Sequence, residues 1–279
     1  TVNRFEVFPS IHVGYTLPHE QKLTFAYSYR TNRPELFYME PYITYRDYYT
    51  AEIGNPDIRP EYIHSYELNY KKNIGEQVLQ SSLFYRSRKD KIERLRVPYE
   101  AGVTLDSMAN VGNDHALGME LSGQFIVNKW WNLNVNGNVY YYKVVNNINA
   151  GGKEETSTNY DITVNNLLRI CKNTRIQLDG NFVGPSVTTQ GRSDSFWFVN
   201  LAIRQQWFGS NLQSTLSFRD IFNSARYKND ITTPNLESIT HIRPKFPVIT
   251  LSISYTFNHF KRSSQNSRDN RDLFEGVNH

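Results

Sequence analysis

The chain has 279 residues and a formal net charge of +4, from 31 basic and 27 acidic side chains spread along its length. No basic stripe is clustered enough for a nucleic-acid binder, so nucleic acid is not an expected partner. A mean hydropathy of −0.59, with no apolar run near the roughly 18 residues of a spanning helix, excludes a transmembrane helix bundle but not a transmembrane β-barrel, whose strands are only half apolar.

Taken in chain order, strand patterns are expected at about 5–17, 21–31, 63–73, 77–96, 117–127, 132–144, 159–171, 175–189, 194–208, 211–222 and 249–257. Each alternates apolar and polar residues, the period of a strand with different surroundings on its two faces. In the fifth, Leu117, Met119, Leu121, Phe125 and Val127 alternate with Glu120, Ser122, Gln124 and Asn128. The sixth sets Leu133, Val135, Gly137, Val139 and Tyr141 against Asn132, Asn134, Asn136 and Asn138. The last sets Ile249, Leu251, Ile253, Tyr255 and Phe257 against Thr250, Ser252, Ser254 and Thr256.

Short connections at 17–21, 73–76, 128–131, 172–174 and 209–211 alternate with polar stretches at 32–62, 97–114, 146–159, 189–194 and 223–247, nearly all of them long. In an up-and-down meander, alternate connections lie at the same end, so one end is tight and the other elaborate. Outer-membrane barrels have this asymmetry. A β-sandwich competes, but its strands average five or six residues, and it gives no reason for every second connection to be long. The aromatic content of 14% (19 Tyr, 16 Phe and 4 Trp) gathers at strand ends, as at Trp130-Trp131 and Tyr140 to Tyr142. Membrane interfaces place aromatics there. The expected fold is therefore all-β, a transmembrane antiparallel up-and-down β-barrel with about 11 strands in this chain. Residues 1–258 form the barrel strands and loops, and 259–279 a polar periplasmic tail. The polar phase is too rich in amides for a dry core, so the lumen is wet or holds a polar plug.

Enzyme chemistry finds no footing. His64 and Ser65 are strand neighbours and point to opposite faces. Asp114-His115 reads as loop chemistry, and Gly151-Gly152 precedes no helix that could make a phosphate cradle. The lone Cys171 has no CxxC partner, and the seven His show no metal-ligand spacing, so neither a metal nor a cofactor is expected. The stretch 32–62 offers the candidate binding surface: Tyr38, Tyr42, Tyr45, Tyr48 and Tyr49, with Arg46 and Asp47. Tyrosine faces and hydrogen-bonding groups suit sugars, peptides or chelates. The same residues also suit packing of loops against each other.

Several motifs carry a family resemblance. GNPDIRPEYIHSYELNY (Gly54 to Tyr70) resembles the segment that closes a long extracellular loop in TonB-dependent receptors, especially those of Bacteroidetes outer membranes. Ile58 and Asn69 stand where that family has Leu and Gly. Upstream, YSYRTNRPELFYMEPY (Tyr27 to Tyr42) is similar to the family's strand-exit segment, and downstream SLFYRSRKDKIERL (Ser82 to Leu95), SFRDIFNSARY (Ser217 to Tyr227) and the terminal ISYTFNHF (Ile253 to Phe260) are similar to its later segments, in the family's order. The resemblance implies the C-terminal half of a barrel of about 22 strands. Its partners would be outer-membrane lipid, an N-terminal plug with the remaining strands, TonB through that plug, and a surface lipoprotein. The function so implied is import of a scarce nutrient across the bacterial outer membrane; a stand-alone barrel acting as channel, adhesin or scaffold is the alternative. The absence of an initiator Met and a signal peptide at Thr1, with an odd strand number, leads to the expectation of a larger protein.

Overall fold

The computed structural model describes residues 5–146, 153–245 and 247–257. In chain order the strands are β1 (Ser10–Leu17), β2 (Gln21–Asn32), β3 (Ile43–Asp47), β4 (Thr50–Ile53), β5 (Glu61–Ile74), β6 (Gln77–Glu100), β7 (Val103–Asn128), β8 (Trp131–Asn146) and β9 (Lys153–Cys171). They continue as β10 (Thr174–Val183), β11 (Ser186–Val187), β12 (Gly191–Ser193), β13 (Phe196–Trp207), β14 (Leu212–Arg219), β15 (Tyr227–Thr233), β16 (Leu236–Ile242) and β17 (Val248–Tyr255). Short 3-10 turns occupy Leu36–Met39 and Phe208–Ser210. Among the described residues, no helix is long and apolar enough to cross a membrane.

Eleven strands form one antiparallel meander, in the order β1-β2-β5-β6-β7-β8-β9-β10-β13-β14-β17, which matches the number read from the alternation. Register explains the two faces. One outer row runs Val13, Phe25, Leu68, Leu83, Met119, Val139 and Tyr160 across seven strands. The inner row beside it runs Gly14, Thr24, Asn69, Ser82, Glu120, Asn138 and Asp161. Large apolar side chains stay uncovered on the outer face, with Leu117 at 60% and Ile253 at 66% exposure, while only seven apolar side chains among the described residues are buried. A face this apolar meets lipid. Two aromatic belts frame it: Tyr27, Tyr66, Tyr85 and Tyr141 lie near one end, and Trp130, Trp131, Trp207 and Phe208 at the other. Asn166 is an amide in the outer phase, as is Gln205 nearer the tight turn. Asn166 accepts from the Trp131 indole Nε1 (3.1 Å) and donates to the Leu178 carbonyl (3.3 Å), so it meets lipid with partners.

The tight end has the expected short turns, and Gly75 takes the left-handed conformation one of them requires (φ +58°). The elaborate end departs from expectation, because much of it is strand. The stretch 97–114 is no loop. β6 and β7 run on as a hairpin of 24 and 26 residues that turns at Ala101-Gly102, with Gly102 at φ +79°. Pro98 and the high charge density conceal this in the sequence. The paired register supplies the reason: it sets Arg96 opposite Asp106, and the guanidinium donates to the carboxylate through Nε and an Nη at 2.6 and 2.8 Å. A bulge at Lys89-Asp90, with Asp90 at φ +56°, lies between the extension and the barrel portion of β6. Stretch 32–62 holds the β3–β4 hairpin, and β4 pairs in parallel with β7. Stretches 189–194 and 223–247 contribute β12, β15 and β16 to a second, four-stranded sheet with β11. The polar tail expected at 259–279 lies outside the described residues.

β1 and β17 are the two ends of the meander and do not pair with each other. Each therefore presents a row of unpaired backbone groups at membrane depth.

Candidate functional site

The GNPDIRPE motif builds the platform on which the candidate loop stands. Gly54 donates to the Glu40 carbonyl at 3.0 Å, and a Cβ there would meet the Glu40 backbone at 2.3 Å, so no larger residue fits. Asn55 caps the turn through Pro56, its Oδ1 accepting from Asp57 N, and its Nδ2 reaches the Met108 carbonyl on β7. Asn110 clasps Arg59, accepting from its N–H and donating to its carbonyl. Glu61, only 2% exposed, accepts from Asn32 Nδ2, the Ile92 N–H and Arg88. The motif is thus a clasp between the 32–62 segment and the β6–β7 extension.

The seven candidate residues do not converge on one pocket. Tyr38 stands in the 3-10 turn and lines, with Tyr42, a hollow of about 50 Å³ bounded by Glu52, Arg94 and Asp106. That space suits a water molecule or two, not a nutrient, for which several hundred Å³ is usual. Tyr45 projects from the opposite face of β3, and the negative charge of Glu100 raises its phenol above the ordinary range. Arg46 is committed to Glu52. Asp47 Oδ1 accepts from the Tyr49 N–H (2.7 Å) and so shapes the hairpin turn. Tyr48 and Tyr49 form the tip, 92% and 73% exposed. Tyr42, Tyr45, Tyr48 and Tyr49 are left as free aromatic faces, while Arg46 and Asp47 hold the hairpin together.

Sequence reading missed the charged rim behind this hairpin. Glu52 bridges Arg46 and Arg94 (2.6 Å to Arg94), and Asp106, only 2% exposed, faces both Arg94 and Arg96. Lys91 donates to the Tyr142 hydroxyl, which donates to Asp114. A two-residue turn at Ala101-Gly102 alone would set Arg96 opposite Ser107; the irregularity between Pro98 and Glu100 shifts the register by one residue and brings Asp106 there, which no sequence pattern announces. The second sheet joins this rim as well. The Gln190 amide makes both hydrogen bonds of a strand partner to the Arg96 backbone, and Glu93 accepts from the Thr189 N–H.

The DIFN signature is structural too. Asp220 and Asn223 both have positive φ, and the buried Asp220 carboxylate accepts from Ser224 N, Ser224 Oγ and Ala225 N. Burial opposes its ionisation. The three hydrogen bonds outweigh that and hold its carboxyl below the ordinary range.

Below the rim, the inner wall encloses a hollow of about 620 Å³ lined by side chains including Lys22, Lys71, Glu120, Asn136, Asn138 and Asp161. His64 and Ser65 do point to opposite faces. His64 lies outside, accepting or donating with Tyr27 Oη at 3.1 Å, while Ser65 hydrogen-bonds Glu67 within. Asp114 faces inward and His115 outward beside Tyr85. Among the described residues, no group of His, Cys, Asp and Glu could hold a metal ion.

No curated protein sequence matches the chain. Among solved structures it is similar to the copper transporter OprC (11% identity, TM-score 0.59, 88% of this chain and 38% of that one). It is likewise similar to the ferric yersiniabactin uptake receptor FyuA from Yersinia pestis (16%, 0.57, 88% and 36%). The siderophore receptor PirA from Pseudomonas aeruginosa gives 14% identity, a TM-score of 0.56, and coverage of 78% and 39%. The chain spans less than two-fifths of the length of each, and at these identities the likeness is one of fold. The model of the outer membrane protein beta-barrel family matches residues 1–255. Meander, lipid-facing exterior and family match agree: the chain belongs to the outer membrane protein β-barrel family, and its place is the bacterial outer membrane.

Proposed function

We propose that this chain is the barrel portion of a TonB-dependent outer-membrane receptor that imports a scarce nutrient, of the kind found in Bacteroidetes. One observation carries the reading: a wide, polar, hollow inner wall belongs to a sheet whose two edges are unpaired. An unsatisfied backbone group in hydrocarbon costs several kcal/mol, so the sheet is completed by further strands. A barrel that wide is an open pore unless filled. A plug fills it and couples to TonB. The elaborate end faces outward, where Tyr42, Tyr45, Tyr48 and Tyr49 offer a ligand stacking faces beside a charged rim, and where a surface lipoprotein could seat. The similarity to siderophore and copper receptors supports the general kind of cargo, and their low identity leaves its chemistry open.

The test is conductance. The complete gene product, purified from outer membranes and inserted in planar bilayers, is expected to pass almost no current until urea withdraws the plug. A large conductance without urea, or a gene product with no segment to fill the lumen, would favour a passive channel and defeat the proposal.

A further inference from the structure

The inner wall is not uniformly polar, and its charge is sorted by height. Residues 121–141, 162–178, 199–218 and 248–257, which include the tight-end halves of β7 to β17, hold five basic side chains and no Asp or Glu. Three of the five, Arg169, Arg175 and Arg204, stand directly opposite one another on β9, β10 and β13, all in the inner phase. Arg175 and Arg204 line a hollow of about 170 Å³ with Gln177 and Thr215. Four strand spacings from Arg169 around the wall, Lys22 and Lys71 form a second directly opposed cationic pair on β2 and β5. All five of these inner-wall cations lie within four residues of a tight turn, all are exposed, and none has an ion pair or side-chain hydrogen bond among the described residues.

The arrangement works against the wall itself. Like charges placed directly opposite across strands are destabilising, and among the described residues no acid on this wall forms an ion pair with them. Glu61, Glu67, Asp114 and Glu120 lie higher and already face Arg86, Arg88 or Lys91. Asp161 and Asp179 are engaged by Asn138 and Gln177. Glu20 and Glu76 sit in the turns, beyond the strands.

We propose that the tight-turn end of this inner wall docks a polypeptide surface rich in Asp and Glu, with Arg169, Arg175, Arg204, Lys22 and Lys71 as its counter-charges. The proposal rests on the reading that a plug fills the lumen, and names that plug's chemistry where it meets this wall. Breadth favours a protein surface over a small anion: the two cationic groups lie four strand spacings apart across the wall and six residues apart along the strands, roughly 28 Å in all. Arginine forks match carboxylates bidentately, so the three-arginine row is the anchor and the lysine pair its counterpart.

The test uses the complete gene product in outer membranes. A water-soluble carbodiimide joins an amine to a carboxylate in contact with it. Lys22 and Lys71 report directly, and R175K and R204K retain the charge while giving the arginine row an amine. Mass spectrometry of the digest is expected to show isopeptides from positions 22, 71, 175 or 204 to Asp or Glu of the plug. Their yield should fall several-fold in 1 M salt, where screening reaches about 3 Å. A photo-crosslinking residue at Asn136 reports lumen filling without regard to charge. Crosslinks from position 136 to the plug with no amine-to-carboxylate links overturn the charge assignment and leave the plug standing. No crosslink from position 136 overturns the plug reading and this inference with it. If the arginine substitutions fail to assemble, the two native lysines still decide the outcome.

Discussion

Arginine introduced at Val135 and at Asn136 offers the sharpest test of which face meets lipid. The two residues are neighbours on β8, so strand length, propensity and distance from the turn are matched. Val135 lies four residues above Trp131 and six below Tyr141, with Gly123 and Val164 beside it on the outer face. Ten residues at about 3.4 Å each, tilted by about 40°, span roughly 26 Å, the height of the apolar band, which puts Val135 close to its midplane. Arginine there should cost about 2–4 kcal/mol. Asn136 is exposed on the inner wall and gives up only the hydrogen bond from Ser122 Oγ (2.8 Å), worth about 1 kcal/mol. The expected gap of about 1–3 kcal/mol is roughly five- to more than a hundred-fold in the folding equilibrium. Reversible urea unfolding of the complete barrel in phospholipid vesicles measures it. Equal cost at both positions, or a larger cost at Asn136, would refute the assignment of faces.

Topology is tested by labelling: in a Cys171→Ser background, Y48C should react with an impermeant maleimide on intact cells and E76C should not, and the opposite pattern inverts the barrel. Asp106→Ala strips Arg94 and Arg96 of a buried counter-charge. It should loosen the β6–β7 extension by about 1–3 kcal/mol, read as faster hydrogen exchange confined to 91–110, and unchanged exchange there would show the pair to be idle. Asp220 is a pH-sensitive group at the rim. Its folded carboxyl is held below the unfolded value of about 3.9, so its contribution is full above that pH and is lost as pH falls through the folded value. D220N should therefore be less stable than the parent at neutral pH, with the difference shrinking below about pH 4, and a constant difference would contradict the carboxylate's role.

The strand count and the two faces were legible in the sequence because the surroundings on either side of each strand differ so strongly. Leu, Val and Ile face lipid at no cost whereas Asn does so only with hydrogen-bond partners, so period two in NLNVNGNVYYYKV is enough to orient β8. The polarity of the connections set the tight and elaborate ends for the same reason. Candidate residues fared differently. Tyr48 and Tyr49 lie free at a tip, as loop tyrosines suggested, whereas Arg46 and Asp47 hold the hairpin together. That distinction depends on Glu52 and on backbone geometry, which composition does not report.

What only the tertiary structure decided is which charges meet. The β6–β7 extension reads as loop because Lys, Arg, Glu and Pro carry no apolar alternation, and it is strand because Arg96 and Asp106 fall opposite each other across a turn. Gln190 reaches the Arg96 backbone from 94 positions away, a contact no local pattern encodes. The same holds for Arg169, Arg175 and Arg204: separated along the chain, they become one row only when three strands are laid in register. Solvent preference acts on each residue alone and is written locally; charge pairing acts between residues and waits for the fold to bring them together.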